Sequence, residues 1–374
     1  MSVDENKNVI YYKCMTRFTA TLSKLKEEGR FRVLSPAKGI DFTSNDYLGL
    51  KSHHVLRETA IAALGNGLDI GSGGSRLLRG NHPAHEVLEQ NAAAFFGCEQ
   101  TLFFANGFSA NHALMTALPS KDDVILFDAL IHASLRDGIQ SNPAKHFRIP
   151  HNDVNAFEDA LKQNSGKLCW VVVESVYSMD GDMAPLAELH KLCEKHNAML
   201  VVDEAHATAV FGEQGKGLTH KFHSPNLISL HTCGKGLGVA GALVCASRDV
   251  IETLINKARS FIYSTAPMPL QAVLVNKALE LCAASDDRRA RLFALCEMAK
   301  QFLPASLSPI FPVILGDEQR AINAAAALQA KGFDIRAIRP PTVPAGSSRL
   351  RITINAHLRD DDIKSLGAAM QEIV

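Results

Sequence analysis

The sequence predicts an α/β protein with a mainly parallel, doubly wound sheet in a large domain and a smaller α+β domain at the C-terminus. Between residues 101 and 246, short apolar, β-branched runs alternate with helical segments, which is typical of a parallel sheet covered by helices. After residue 301 the pattern changes to a few strands and helices in mixed order. A chain of 374 residues is long enough for both domains. We expect an N-terminal helix and arm over 1–44, a large domain over 45–270, and a linking helix with the small domain over 271–374.

Two helices and a polar loop are predicted ahead of the sheet. Residues 16–28 have amphipathic helical spacing, and Gly29 ends that helix. An extended segment at 40–42 leads into the turn-rich, aromatic segment 43–50, which is more typical of a loop lining a site than of a core element. A second helix is expected at about 55–64.

The remaining elements follow from the apolar runs and their periodicity. In the large domain these runs predict strands at residues 101–105, 124–127, 170–174, 199–203, 227–231 and 242–246, and a helix at 108–117. One long helix, rich in Ala and Leu, is expected from about residue 269 to about residue 301. The small domain is expected to contain strands at 309–314, 334–338 and 350–354 and helices at 319–331 and 360–373.

Composition narrows the class of protein. Lys plus Arg and Asp plus Glu balance at 39 each, so no bulk attraction to nucleic acid is expected. The apolar runs are too short to span a bilayer, and the N-terminus has no cationic, apolar signal sequence. The eight cysteines form no C-x-x-C pair, which favours buried, reduced thiols over disulfides or metal ligands. We expect a cytoplasmic enzyme that acts on small molecules and binds no metal, membrane or nucleic acid.

The stretch 199–241 carries the strongest functional signal. Asp203 ends one predicted strand and His206 follows it, while Thr232 and Lys235 follow the next strand. In open α/β sheets, ligands bind beyond the carboxyl ends of the strands. We therefore expect a carboxylate, an imidazole, a hydroxyl and an amine to face one crevice.

This set of groups suits pyridoxal phosphate (PLP). The aldehyde cofactor needs a lysine for its Schiff base and an aspartate that keeps the pyridine nitrogen protonated. Each residue also has a plainer interpretation, because Asp203 could cap the next helix and Lys235, between glycines, could be a solvated turn residue. Their succession after neighbouring strands favours the cofactor.

Further candidates lie in the first half of the chain. Gly107 and Phe108 stand where a strand meets a helix N-terminus, a ready seat for a phosphate. His132 could stack on a pyridine ring, or simply begin a helix, and Ser178 could bond the cofactor or be an ordinary turn hydroxyl. The glycine cluster at 71–76 fails as a dinucleotide fingerprint because no strand precedes it, and 212–217 lacks the spacing of a P-loop.

Taken together, these segments resemble the α-oxoamine synthases, a family of fold-type I PLP-dependent transferases. The matching motifs run in family order over nearly all of residues 42–374: SNDYLGL (44–50), GSGGSR (71–76), ANGFSAN (105–111), IHAS (131–134), SMDGD (178–182), DEAH (203–206), TCGKGLG (232–238) and IYST (262–265).

For the cofactor ring, the resemblance implies one role for each matching residue. Lys235 would form the Schiff base and, once freed, act as general base, and Asp203 would pair with the pyridine nitrogen. His132 would stack on the ring, while His206 and Ser178 would bond its hydroxyl oxygen.

For the phosphate, the resemblance implies contributions from two subunits. Thr232 and the amides of Gly107 and Phe108 would hold it within one chain. Ser264 and Thr265 would reach the phosphate of the neighbouring subunit, which implies a homodimer with shared active sites.

The resemblance also implies substrates. The segments 338–344 (IRPPTVP), 348–351 (SRLR) and 151–154 (HNDV) are similar to members that condense L-alanine with a pimeloyl thioester and release carbon dioxide. Arg351 would grip the amino-acid carboxylate in a bidentate fork, with Asn45 also at the substrate. The segment before Asn45 is shorter than is usual in the family, so the acyl contact could come from Arg30 or Arg32. The acyl carrier could be coenzyme A or a carrier protein.

Three alternatives stay open at this point. One is a glycine-using member, such as 2-amino-3-ketobutyrate ligase or 5-aminolevulinate synthase, against which the RPPTVP segment argues. Another is a different fold-type I chemistry, an aminotransferase or a lyase. The third is a non-catalytic partner subunit, which would be expected to lack the lysine that is present here at position 235.

Overall fold

The computed structural model describes residues 3–373, with side chains from Met15 onward. Backbone contacts divide the chain into two compact units, one ending at Lys38 and the other comprising Gly39–Val374. The first unit contains helix α1 (Val3–Glu27), so the helix predicted at 16–28 is present but begins upstream of that range. Gly29, with φ 63°, follows the helix and allows the left-handed turn that ends it.

The second unit is built around a seven-stranded sheet. Its elements up to the end of that sheet are β1 (Ile40–Asp41), α2 (His54–Gly65), α3 (Pro83–Phe96), β2 (Gln100–Phe104), α4 (Gly107–Ala117), β3 (Val124–Asp128), α5 (Ala133–Gln140), β4 (Lys145–Ile149), α6 (Val154–Gln163), β5 (Cys169–Glu174), α7 (Leu186–His196), β6 (Met199–Asp203), β7 (Leu227–Thr232), β8 (Ala242–Ala246), α8 (Arg248–Lys257) and α9 (Arg259–Ile262). The sheet order is β2-β8-β7-β6-β5-β3-β4, and β8 runs antiparallel to both neighbours while the other pairs are parallel. The predicted α/β class with a mainly parallel sheet is confirmed.

The central strands form because both of their faces are buried. Every residue of β5 is buried, and alternate side chains enter different cores. Val172 packs in the cluster that contains Leu114 of α4, whereas Val171 packs in the cluster that contains Leu189 of α7. Burial on both sides explains why these strands are continuous apolar runs in the sequence.

The C-terminal part contains a smaller sheet flanked by helices. Its elements are α10 (Pro269–Ala283), α11 (Asp286–Ala299), β9 (Ile310–Gly316), α12 (Glu318–Ala330), β10 (Phe333–Asp334), β11 (Arg336–Ile338), β12 (Ser348–Thr353) and α13 (Asp360–Ile373). The sheet order is β11-β12-β9, and both pairs are antiparallel. The predicted boundaries of the large and small domains stay predictions.

Two elements of this part were wrongly predicted as continuous, and each is divided in two in the structure. The single helix expected over 269–301 is two helices, because the helix is interrupted at Ala284 and Ser285. There the Ser285 hydroxyl and the Arg289 guanidinium donate to carbonyls of the last turn of α10. The strand expected at 334–338 is two short strands with different partners. β10 pairs in parallel with β1, and β11 pairs with β12.

The elements that the sequence did not predict include α3, β4, α8 and α9. β4 lies at the edge of the sheet with four of its five residues exposed, so it lacks the apolar run that marks its neighbours. Within residues 3–373, no helix is long and apolar enough to cross a membrane. The seven cysteines whose side chains are described are free thiols, and six of them are buried; Cys14 lies outside this set.

Candidate active site

The candidate site lies where neighbouring parallel strands end. Glu174, the last residue of β5, is paired in register with Asp203, the last residue of β6. β7 lies next to β6 and ends at Thr232, three residues before Lys235. The strand order therefore brings two carboxylates, a hydroxyl and an amine to the carboxyl ends of adjacent strands, where ligands bind in open α/β sheets.

Lys235 is held in a short chain of hydrogen bonds. Its Nζ lies 2.8 Å from Nε2 of His206, and Nδ1 of the same imidazole lies 2.6 Å from the Tyr47 hydroxyl. Burial lowers the pKa of the Lys235 amine and lowers that of His206 well below its usual range. Both shifts favour the neutral forms, so a basic amine faces a neutral imidazole.

Asp203 is a fixed carboxylate on the other side of this cluster. Its Oδ2 accepts a hydrogen bond from Asn111 Nδ2 at 2.7 Å, and its Oδ1 accepts one from the Ala205 amide at 2.9 Å. Asn111 Nδ2 also donates to the Ser134 hydroxyl oxygen at 3.0 Å, and Nδ1 of His132 lies 2.8 Å from that oxygen. His132 and Asp203 are thus linked through two side chains. Burial lowers the pKa of His132, and the charge of Asp203 works against that shift.

Arg351 approaches the cluster from β12. Its Nε donates to the Ser178 carbonyl at 2.6 Å, Nη1 to the Thr353 hydroxyl at 2.9 Å, and Nη2 to the Asn45 side-chain oxygen at 2.9 Å. The Tyr47 hydroxyl lies 3.4 Å from the same Asn45 oxygen. Each terminal guanidinium nitrogen carries a second N–H, and a planar guanidinium of this kind suits a carboxylate.

Gly107 and Thr232 form a cradle at the start of α4. A Cβ atom at position 107 would lie 2.6 Å from the Thr232 hydroxyl oxygen, so a side chain there would fill the space beside that hydroxyl. Asn106 caps the helix by accepting from the Ser109 amide at 2.9 Å. The amides of the first turn have no partner within the helix and suit a phosphate.

Four residues that contribute to this geometry had no role in the sequence interpretation: Tyr47, Asn111, Ser134 and Glu174. The first three lie inside the motifs SNDYLGL, ANGFSAN and IHAS, so the sequence marked their segments but not their contacts. Glu174 is 2% exposed, and within the described part of the chain its Oε1 has no hydrogen-bond partner. Burial raises the pKa of its carboxyl group well above the usual range, and the nearby Asp203 adds to the shift.

Several predicted site residues are not joined to this cluster by the described contacts. Ser264 and Thr265 are exposed and lie beside the 71–76 loop, since the Ala266 amide donates to the Gly74 carbonyl at 2.9 Å. Arg30 and Arg32 belong to the first compact unit, and their assignment to the acyl group stays a prediction.

Comparison with known proteins gives the geometry a context. A family model described as aminotransferase class I and II matches residues 37–369. A protein named 8-amino-7-oxononanoate synthase from Nitrosomonas eutropha is 40% identical over 377 residues, covering 94% of this chain and 97% of that protein. A protein of the same name from Burkholderia mallei is 44% identical over 346 residues, covering 88% of both chains.

Solved structures of similar fold carry related names. A serine palmitoyltransferase from S. paucimobilis, with a bound PLP–myriocin aldimine, has a TM-score of 0.86 and 27% identity, over 95% of this chain and 96% of that one. An 8-amino-7-oxononanoate synthase from Francisella tularensis has a TM-score of 0.77 and 30% identity, over 90% of this chain and 98% of that one.

Proposed function

Since the chain belongs to the aminotransferase class I and II family and, within it, to the α-oxoamine synthases, we propose that it acts as an 8-amino-7-oxononanoate synthase of biotin synthesis. The proposed reaction joins L-alanine to a pimeloyl thioester, forming a carbon–carbon bond at the alanine Cα. Carbon dioxide and the free thiol carrier leave. The relatives that share this name over most of the chain support the proposal.

The cofactor is pyridoxal phosphate. When bound, it supplies an electron-accepting ring that stabilises negative charge at the amino-acid Cα. We propose that Lys235 holds its aldehyde carbon, that Asp203 holds a proton on its pyridine nitrogen, and that Thr232 and the first-turn amides of Gly107 and Phe108 hold its phosphate. His132 is proposed to cover one face of the ring, with Ser178 and His206 beside the ring hydroxyl.

Lys235 is proposed to take the proton from the amino-acid Cα. A general base should be neutral near the working pH, and burial lowers the pKa of this amine. The neutral imidazole of His206, held by the Tyr47 hydroxyl, keeps the amine at a fixed position. The proton moves to Lys235 Nζ and can return to the product from the same atom.

The single observation that carries the proposed substrate geometry is the chain of contacts from Arg351 through Asn45 and Tyr47 to His206 and Lys235. It places the Arg351 guanidinium and a basic amine on one hydrogen-bonded network. A bound amino acid could present its carboxylate to the first and its Cα proton to the second. The carboxylate contact is common to all amino acids, so Arg351 contributes affinity and not selectivity.

We propose that the space beside the amino-acid Cα selects the amino acid, and that a cation near the distal carboxylate selects the acyl chain. One methyl group in a pocket is worth about 1–3 kcal/mol, so glycine should be a poor substrate rather than an excluded one. A distal carboxylate on the acyl chain is costly to bury without a cation. Arg30 or Arg32 is our proposed partner for it.

A homodimer with shared sites is also proposed. The 71–76 loop and the segment around Pro267 are tied together, because the Ser72 hydroxyl donates to the Pro267 carbonyl at 2.8 Å and His85 Nε2 lies 2.8 Å from the same oxygen. Next to them, Leu78 and Tyr263 are 79% and 72% exposed. Large apolar groups exposed beside an ordered loop support a subunit contact, and sedimentation of the purified protein tests it.

Product analysis with two amino acids and two acyl donors tests the proposed reaction. L-Alanine with pimeloyl-coenzyme A should give carbon dioxide, free thiol and the amino-oxo acid, while glycine and acetyl-coenzyme A should react poorly. A preference for glycine and acetyl-coenzyme A would instead assign the chain to the glycine-using members. Amino-group transfer without carbon dioxide would contradict the acyltransfer reaction altogether.

A further inference from the structure

The segment His151-Asn152-Asp153 has no part in the proposed chemistry, yet the structure gives each residue a definite contact. It connects β4 to α6. Asp153 caps α6 by accepting from the Ala156 amide at 2.9 Å. Asn152 has φ 55°, a left-handed conformation that asparagine tolerates better than most residues. In this conformation the backbone amide of Asn152 donates to Asp128 Oδ2 at 2.8 Å.

His151 lies between two carboxylates. Its Nδ1 is 2.9 Å from Asp128 Oδ1, and its Nε2 is 2.7 Å from Asp182 Oδ2. The ring packs against the edge of Tyr177 with centroids 4.4 Å apart. Because a carboxylate accepts and does not donate, these two contacts favour a proton on each ring nitrogen, which is the imidazolium form. Burial opposes this charge, but the bonds to the two carboxylates outweigh it and raise the pKa of His151 to about 10.

The first carboxylate, Asp128, anchors the turn that leads to His132. Asp128 is fully buried at the end of β3, and besides binding His151 it accepts a hydrogen bond from the Leu130 amide at 2.8 Å. The Ile131 amide donates to the Asp128 carbonyl at 3.3 Å. The short turn from Asp128 to His132 is therefore anchored where the His151 ring meets it.

The second carboxylate belongs to the loop that carries Ser178. The Tyr177 amide donates to the Asp182 carbonyl at 2.9 Å, and the Gly181 amide donates to the Tyr177 carbonyl at 2.8 Å, which closes a compact loop around Ser178. Arg351 holds the Ser178 carbonyl. The His151 bond to the Asp182 side chain is a further anchor of the same loop, beside the bond that Asn152 Nδ2 donates to the same oxygen at 3.0 Å.

We infer that His151 is a positioning residue, which joins the Asp128 turn to the 177–182 loop and so sets the separation of His132 and Ser178 around the bound cofactor. It acts through those two residues and touches neither cofactor nor substrate. The inference rests on the contacts with the cofactor ring proposed above for His132 and Ser178. Its consequence is tighter binding of PLP.

Titration of the apoprotein with PLP, followed by visible absorbance, tests this inference without any acyl substrate. We expect H151Q, which keeps one hydrogen-bond partner and loses the charge, to weaken PLP binding about tenfold. The control H223Q, at an exposed histidine, should stay within twofold of the wild type. D182N removes the negative charge at the more exposed end of the same contact and should act in the same direction. Its control is D122N at an exposed aspartate.

The decisive measurement is the effect of H151Q in a protein that already carries both H132A and S178A. If His151 acts through these residues, H151Q should change the PLP dissociation constant less than twofold in that background. An equal loss in both backgrounds, or no loss from H151Q and D182N in the wild-type background, would overturn the inference. The dissociation constant of the H132A/S178A protein itself reports separately on the proposed ring contacts.

Discussion

Lys235 Nζ lies 2.8 Å from His206 Nε2, and this pair joins the segment that follows β7 to the segment that follows β6. The contact makes the lysine part of a buried network rather than a turn residue in solvent. Burial lowers the pKa of the amine and that of the imidazole, so both shifts favour the uncharged forms of the pair. Such a lysine is suited to bond an aldehyde and to accept a proton.

Replacement of this lysine is the first prediction. K235A should lose all measurable turnover while the protein still folds, since the side chain supports a hydrogen bond and not a packed core. Borohydride reduction of the cofactor-loaded wild type, followed by peptide mapping, should label Lys235. K191A, at an exposed lysine of α7, should keep wild-type activity. Labelling of a different lysine would show that the assignment is wrong.

Asp203 carries the second prediction. D203N keeps the size of the side chain but removes the charge proposed to hold the pyridine proton. A buried electrostatic partner of this kind is worth several kcal/mol in the transition state, so kcat should fall at least about a hundredfold. Steady-state kinetics with saturating PLP make the measurement, and D122N is the control. Near-normal kcat in D203N would show that another group holds the ring nitrogen.

Tyr47 carries the third prediction. Its hydroxyl lies 2.6 Å from His206 Nδ1 inside a fully buried site, and burial raises the pKa of Tyr47 to about 12, so it stays protonated. Y47F leaves a buried ring nitrogen without its partner, which costs about 1–3 kcal/mol of folding free energy. We expect a lower thermal midpoint and a kcat reduced about tenfold. Unchanged values of the thermal midpoint and of kcat in Y47F would argue against the network.

Much of the fold was predictable because its strands are buried on both faces. β6 and β8 have the predicted bounds, since a continuous apolar run between polar residues leaves little choice. The break between α10 and α11 was missed, although Ser285 followed by Asp286 and Asp287 is typical of a helix start. There the termination depends on side-chain bonds from Ser285 and Arg289.

The residues of the site also differ in whether the sequence alone could identify them. Asp203 and Lys235 could be proposed from local motifs, because each follows a strand within one short segment. The bond from Arg351 to the Ser178 carbonyl joins residues 173 positions apart, and no pattern in either segment specifies it. Glu174 was missed because a carboxylate at a strand end is common, and its burial depends on how β5 and β6 pair.

Glu174 carries the fourth prediction. Burial and the neighbouring Asp203 raise the pKa of its carboxyl group well above the usual range, which favours the neutral form. E174Q, a neutral isostere, should therefore keep kcat within a few-fold of the wild type, whereas E174A should lower the thermal midpoint by opening a cavity. E213Q, at an exposed glutamate, is the control. A hundredfold loss in E174Q would mean that the ionised form is required.

The pH dependence of stability tests the charge of His151. Its folded-state pKa is about 10, because Asp128 and Asp182 face the two ring nitrogens and outweigh the opposing effect of burial. The unfolded value should be about 6.5. A pKa raised on folding means that the folded protein binds the proton more tightly, so the stabilisation is complete below about pH 6.5 and is lost as the pH rises to about 10.

The thermal midpoint of the apoprotein should therefore differ most between wild type and H151Q at pH 6, less at pH 8, and least near pH 10. The difference between wild type and H223Q should stay flat, because that exposed ring gains no carboxylate partner among the described side chains. A gap between wild type and H151Q that widens with pH would show that the ring is neutral and that the two carboxylates are held by other groups.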